Sequence, residues 1–192
     1  SVFAGLRPLA APRSEGKKTK EISRSHKLIR EKSGLITIIG GKWTTYRKMA
    51  QDTLDLAIRY MHIPTKDCIT ERYQIHGSRK NPDFSDPLYV YGTDADEIRN
   101  LVASSPAMAE KLHPDYAYTV GEVTWLVRNE MPRTLEDVLA RRLRILFLDA
   151  RAAMAMAPKV AGILATEWGK DETWTSAQVK AFNEVASNYI LN

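Results

Sequence analysis

Gly34-Leu-Ile-Thr-Ile-Ile-Gly-Gly-Lys-Trp-Thr-Thr-Tyr-Arg47 reads as a strand that runs into two glycines and then a helix N-terminus. Leu35 to Ile39 is a short apolar run rich in β-branched residues, Gly40 and Gly41 let the backbone turn and approach a neighbour closely, and Thr44 or Thr45 can cap the helix. The N–H groups and positive dipole end of such a helix favour a phosphate or an electron-rich ring. The stretch is not a nucleotide P-loop, which needs a glycine where Ile36 stands and a Ser or Thr where Trp43 stands. Taken alone, Gly-Gly-Lys reads equally as a tight, solvent-facing turn.

Upstream, Glu21 to Arg30 alternates as a strand, with Ile22, Arg24, His26 and Leu28 on one face, and Lys32-Ser-Gly34 turns it into the run Leu35 to Ile39. An antiparallel hairpin is predicted. Downstream the period becomes helical: Tyr46, Met49, Ala50, Thr53, Leu54, Ala57, Ile58 and Met61 form an apolar stripe, expected to pack into a core, and Pro64 is expected to close the helix. Val2-Phe-Ala-Gly-Leu6 looks like the end of a strand, so the chain reads as a piece of something longer, and Ala10 to Lys20 has the composition of an exposed loop.

Cys68 to Leu88, with Gly77, Pro82 and Pro87, reads as an inter-domain linker. The rest is helical in pieces. Thr93 caps a helix through Val102, Pro106 opens a short one, and Thr119 to Glu130 forms another. Thr134-Leu-Glu-Asp137 is a capping box leading a helix to about Met156, Pro158 starts the next, and Ser176 caps the last. The expected fold class is α+β: a truncated remnant of an α/β domain over residues 1–67, made of a hairpin plus one long helix, a linker over 68–88, and a mainly helical C-terminal domain over 89–192.

Composition narrows the function classes. Residues 1–67 hold 14 Lys plus Arg against 6 Asp plus Glu, whereas residues 68–192 hold 14 against 17, so the positive potential belongs to the first third. That asymmetry points to an anionic ligand or surface, although Arg13, Lys17, Lys18 and Lys20 read more plainly as a solvated loop. Nucleic acid is disfavoured, because the basic residues lack interleaved aromatics. No apolar run reaches the ~20 residues of a membrane span. Cys68 is the sole cysteine, which suits a reducing cytoplasmic setting, and the four histidines lack metal-ligand spacing, so no metal site is expected.

Three cations sit beside features that would fix their direction: Arg7 before Pro8, Arg24 in the hairpin, and Lys42 at the glycine turn. Arginine forks suit phosphate oxygens and a lysine suits a carbonyl oxygen or developing anion. Read singly, each is also an ordinary surface charge. Glu122 and Glu130 with Arg141, Arg142 and Arg144 read as ion pairs tying helices together, and Trp125, Trp168, Trp174, Met154 and Met156 as core or interface.

Four motifs then fall in order along nearly the whole chain: Gly5-Leu-Arg-Pro-Leu9, Glu21-Ile-Ser-Arg24, Gly34-Leu-Ile-Thr37 with Gly40-Gly-Lys-Trp-Thr-Thr-Tyr-Arg47, and Glu130-Met-Pro-Arg-Thr-Leu-Glu-Asp-Val-Leu-Ala-Arg-Arg142. In these the chain resembles the C-terminal part of the flavin-dependent, quinone-linked glycerol-3-phosphate dehydrogenases and glycerophosphate oxidases. The resemblance implies an enzyme that oxidises sn-glycerol 3-phosphate to dihydroxyacetone phosphate with FAD and passes electrons to a quinone. It gives Arg7 and Arg24 to the substrate phosphate, Lys42 to substrate and flavin as the catalytic cation, and Gly40, Gly41, Trp43, Thr44 and Thr45 to the cofactor site. The expected setting is cytoplasmic, with peripheral contact at the inner face of the cytoplasmic membrane. The dinucleotide fingerprint Gly-x-Gly-x-x-Gly is nowhere in these residues, so the 192-residue chain alone is expected neither to retain FAD nor to turn over. The general base is expected on a segment before Ser1, and an exposed sheet edge is expected to pair with another copy. The competing reading is a helical interaction module that docks a partner subunit, a membrane surface or an anionic polymer.

Overall fold

The computed structural model describes residues 1–6 and 25–191. It forms two compact units, Gly5–Ile75 and a second comprising Ser1–Ala4 with His76–Asn192. Mainly helical, it carries one two-stranded antiparallel hairpin among the described residues. Arg7, Arg24 and the first half of the strand predicted from Glu21 lie outside the described residues.

In the first unit, β1 (His26–Arg30) pairs with β2 (Ile36–Gly40), with His26 opposite Gly40 and Arg30 opposite Ile36. Gly34, at φ +92°, makes the turn between them, and the Glu31 N–H donates to Leu35 O at 2.9 Å. The helix α1 (Tyr46–Met61) comes after a 3-10 turn over Trp43–Thr45. His62, left-handed at φ +54°, ends α1 before Pro64 is reached, its N–H closing on Ile58 O. The apolar stripe of α1 does not enter a core: no described residue of this unit is fully buried, and Tyr46 and Leu54 are each 61% exposed. Two strands and one helix cannot enclose an interior.

The second unit holds the core. α2 (Ala95–Ala103), α3 (Pro106–Ala109), α4 (Val120–Asn129), α5 (Ile145–Leu148), α6 (Ala150–Trp168) and α7 (Glu172–Ser187) surround Ile98, Val123, Leu126, Leu139, Met156 and Leu164, all essentially solvent-free. The Thr119 hydroxyl caps α4 by accepting from the Glu122 N–H at 3.2 Å. The box at Thr134 forms as well. The Asp137 N–H donates to Thr134 Oγ1, and the Asp137 carboxylate accepts from the Arg133 and Thr134 N–H groups.

The helix led by that box is shorter than predicted. It widens into a π-helical stretch, Asp137–Arg142, and Arg144 at φ +61° breaks it. Pro158 starts nothing: it lies inside α6, which begins at Ala150 because the Asp149 carboxylate accepts from the Ala152 N–H at 3.0 Å. Starting there buries Ala153, Met156, Ala157, Val160, Ala161 and Leu164 along one face, and that burial outweighs the backbone bond a proline forfeits. Likewise Asp171 rather than Ser176 caps α7, accepting from the Trp174 N–H at 2.8 Å. Val2 is no strand end; its N–H donates to Tyr189 O at 2.9 Å, on the helical unit.

Of the expected inter-helix ion pairs, Glu130 meets Arg142 at 3.3 Å, but Glu122 pairs with no cation among the described residues. Only 3% exposed, it accepts the Tyr91 hydroxyl at 2.6 Å. Burial pushes the Glu122 carboxyl above its ordinary range, while hydrogen bonds from the Tyr91 hydroxyl and the Thr119 backbone act the other way. Because the folded value exceeds the unfolded one of about 4.3, the stability this group contributes is present below that value and is lost as pH rises through the folded value. Glu122→Gln, which keeps an acceptor for Tyr91, is expected to be less pH-dependent. Urea unfolding at pH 7 and pH 5 should show the parent gaining stability relative to the variant at the lower pH.

Candidate functional site

Gly40 and Gly41 stand side by side at φ +74° and +90°, a pair of left-handed residues that turns the chain out of β2. A Cβ on Gly41 would lie 2.5 Å from Met49 Sδ and 3.3 Å from His26 Cβ. The positive φ is what calls for glycine here, and the close neighbour over it is the protein's own Met49, one turn into α1.

Lys42 next takes an extended conformation, and Thr45 locks the turn after it. Thr45 Oγ1 donates to Lys42 O at 3.0 Å and lies 3.4 Å from the Lys42 N–H, while the Thr45 N–H also bonds Lys42 O. The N–H groups of Trp43 and Thr44 open the turn, where helical geometry gives them no acceptor of their own. Lys42 through Tyr46 are all exposed, with the Trp43 ring tilted against Tyr46 at 6.3 Å between centroids. No acidic residue occupies the first turn of either helical piece.

The other cations of this helix are engaged. Lys48 Nζ bonds Asp52 at 2.9 Å, which raises the Lys48 pKa and holds the Asp52 carboxyl below its usual range, His26 adding to the latter effect. Arg47 donates to Gln51, Thr70 and Glu71, tying the segment after α1 back to it. Lys42 has no ion pair among the described residues. An unpaired ammonium beside two open N–H groups and the Thr44 hydroxyl is a donor-rich surface, suited to an anion or to the electron-rich edge of a ring.

Of the sequence-predicted site residues, the structure brings Gly40, Gly41, Lys42, Trp43, Thr44 and Thr45 together in this turn; Arg7 and Arg24 lie outside the described residues. The contact that sequence reasoning missed is His26 Nε2 to Asp52 Oδ2 at 2.9 Å. The Lys48 and Asp52 spacing was legible as an i,i+4 pair, but nothing in the sequence joins Asp52 to a residue 26 positions earlier.

A family model described as the C-terminal domain of alpha-glycerophosphate oxidase matches residues 35–175. Among curated proteins, a probable mitochondrial glycerol-3-phosphate dehydrogenase of Caenorhabditis elegans is 35% identical over 99% of this chain and 28% of its own length. The mitochondrial glycerol-3-phosphate dehydrogenase of Arabidopsis thaliana is 31% identical over 98% of this chain and 37% of its own length. That of Mesocricetus auratus is 30% identical over 99% and 28%. The chain thus spans about a third of the length of the relatives it matches.

Proposed function

Since the chain belongs to the family of the alpha-glycerophosphate oxidase C-terminal domain, we propose that it is the carboxy-terminal part of an FAD-dependent enzyme that oxidises sn-glycerol 3-phosphate to dihydroxyacetone phosphate and delivers the electrons to a quinone. The observation that carries this reading is the turn at Gly40–Thr45, exposed over Lys42 to Thr45, rich in donors and free of acidic neighbours in its first turn.

When bound, FAD supplies the hydride acceptor and stores the electron pair until the quinone takes it. The residues of this chain supply fixed positive potential. The Lys42 ammonium and the N–H groups of Trp43 and Thr44 would meet the ring edge on which charge accumulates, and the backbone that carries them is set before reaction by the Thr45 bonds to Lys42. Arg7 and Arg24 hold the phosphate ester, so that the carbinol carbon is oriented by charge at the far end of the substrate. On its own the chain binds FAD weakly, because the dinucleotide fingerprint is not among its residues. A peripheral place at a membrane surface goes with the quinone. Among the described residues no helix is long and apolar enough to cross a bilayer.

The test uses the complete enzyme. Arg24→Ala and Arg7→Ala are each expected to raise KM for glycerol 3-phosphate by about 10- to 100-fold, the worth of one charge-assisted bond, while FAD content stays that of the parent. Unchanged KM in both variants would refute the assignment of the phosphate site.

A further inference from the structure

Two consecutive glycines at positive φ give the turn little stiffness of its own, yet the residues they lead into must keep one direction if Lys42 is to act as proposed. No core holds them, since no described residue of that unit is fully buried. What grips the turn is a polar clamp. His26 stands opposite Gly40 in the strand ladder, and its Cβ borders the space beside Gly41. Its Nε2 lies 2.9 Å from Asp52 Oδ2, and Lys48 Nζ lies 2.9 Å from Asp52 Oδ1. One carboxylate on α1 thereby takes a donor from β1 and a donor from its own helix. Because Asp52 is ionised and can only accept, the His26 Nε2–H is the donor of this bond. Met49, one turn earlier on α1, fills the space over Gly41 from the same side. The clamp is half-sheltered, with side-chain exposures of 20% for His26 and 29% for Asp52, so water competes with it less than at an open surface.

We propose that His26 and Asp52 are positioning residues for Lys42: their bond fastens β1 to α1 behind the glycine turn and so fixes where the Lys42 ammonium and the Trp43 and Thr44 N–H groups point. The proposal rests on the role given to Lys42 above. His26 and Asp52 both act through the turn.

Two measurements separate the clamp from the role of Lys42. In the complete enzyme, removal of the carboxylate by Asp52→Ala should lower the NMR order parameters of the Gly41 and Lys42 amides from about 0.85 to below about 0.6. Those of Leu126 and Val138 in the helical unit should stay as they are, and Asp52→Glu should restore the turn. In the complete enzyme, Asp52→Ala should lower kcat for glycerol 3-phosphate about tenfold with little change in KM. In a Lys42→Met background the same change should cost much less, because only the share carried by the Trp43 and Thr44 N–H groups is then left to lose. Unchanged order parameters at Gly41 and Lys42, or an equal loss of kcat in both backgrounds, would overturn the proposal. Loosened amides together with a Lys42→Met enzyme of normal turnover would instead overturn the role of Lys42 and leave the clamp standing.

Discussion

Gly92→Ala is expected to abolish or severely weaken cooperative folding of the helical unit, with a loss of about 4 kcal/mol or more. Two independent causes act at this position. Gly92 has φ +55° and ψ −118°, a conformation essentially reserved for glycine, which by itself costs another residue about 1 to 3 kcal/mol. A Cβ placed there would also stand 1.5 Å from the carbonyl oxygen of Gly77 and 2.7 Å from its carbon, and backbone cannot swing aside as a side chain can. The two stretches of chain cross at this point and are held in register by the Thr93 N–H, which donates to Gly77 O at 3.2 Å. The neighbouring Tyr91 is pinned to the buried Glu122, so a shift of the crossing would uncouple that bond as well. Urea unfolding monitored by circular dichroism reads the effect. Gly162→Ala is the control: it lies within α6 with nothing within 4 Å of its would-be Cβ, and it should gain about 0.5 to 1 kcal/mol. A midpoint for Gly92→Ala equal to that of the parent would mean that the crossing is not what organises this end of the unit.

Lys42→Met in the complete enzyme is expected to lower kcat by about 100- to 1000-fold, the range found when one preorganised donor is removed from a site of developing charge. Methionine keeps most of the length and apolar stem of lysine, so the change isolates the ammonium. The turn itself should survive. Its hydrogen bonds run between Thr45 and the Lys42 backbone, and Gly41 packs on Met49 rather than on the lysine side chain. FAD content is therefore expected to stay near that of the parent. Lys32→Met, at the far end of the hairpin, should leave kcat within about twofold, as surface substitutions away from any special feature do. Equal kcat values for Lys42→Met and Lys32→Met would remove Lys42 from the chemistry.

The parts of this chain that could be read in advance are those where local chemistry and tertiary packing agree. The β-branched run ending at Gly40, the turn at Gly34, the helix that begins at Thr119 and the box at Thr134 each carry their own cause within a few residues, and each folds accordingly. Pro158 and Ser176 misled for a shared reason. Both are acceptable helix starters, but an aspartate several residues earlier in each case offers a stronger cap, and the apolar faces of α6 and α7 extend back to it. The π-helical stretch and the left-handed Arg144 have no local signature, because they answer to how Val138, Leu139 and Ile145 reach one core. At the candidate site the donors were legible as residue types in Gly40 to Thr45. The packing of Met49 over Gly41, and the bond from His26 to Asp52, were not, since both are contacts between elements.

The functional reading turns on the exposed Lys42 ammonium meeting substrate and flavin in the complete enzyme. Amine-directed chemical labelling read by mass spectrometry addresses it without relying on turnover. In the isolated chain Lys42 and Lys32 should react at similar rates, both being exposed. In the complete FAD-loaded enzyme saturated with glycerol 3-phosphate, Lys42 should be protected at least about tenfold relative to Lys32, as a group held in a charge-assisted contact is. Labelling of Lys42 as fast as that of Lys32 under those conditions would contradict its place at the substrate and flavin.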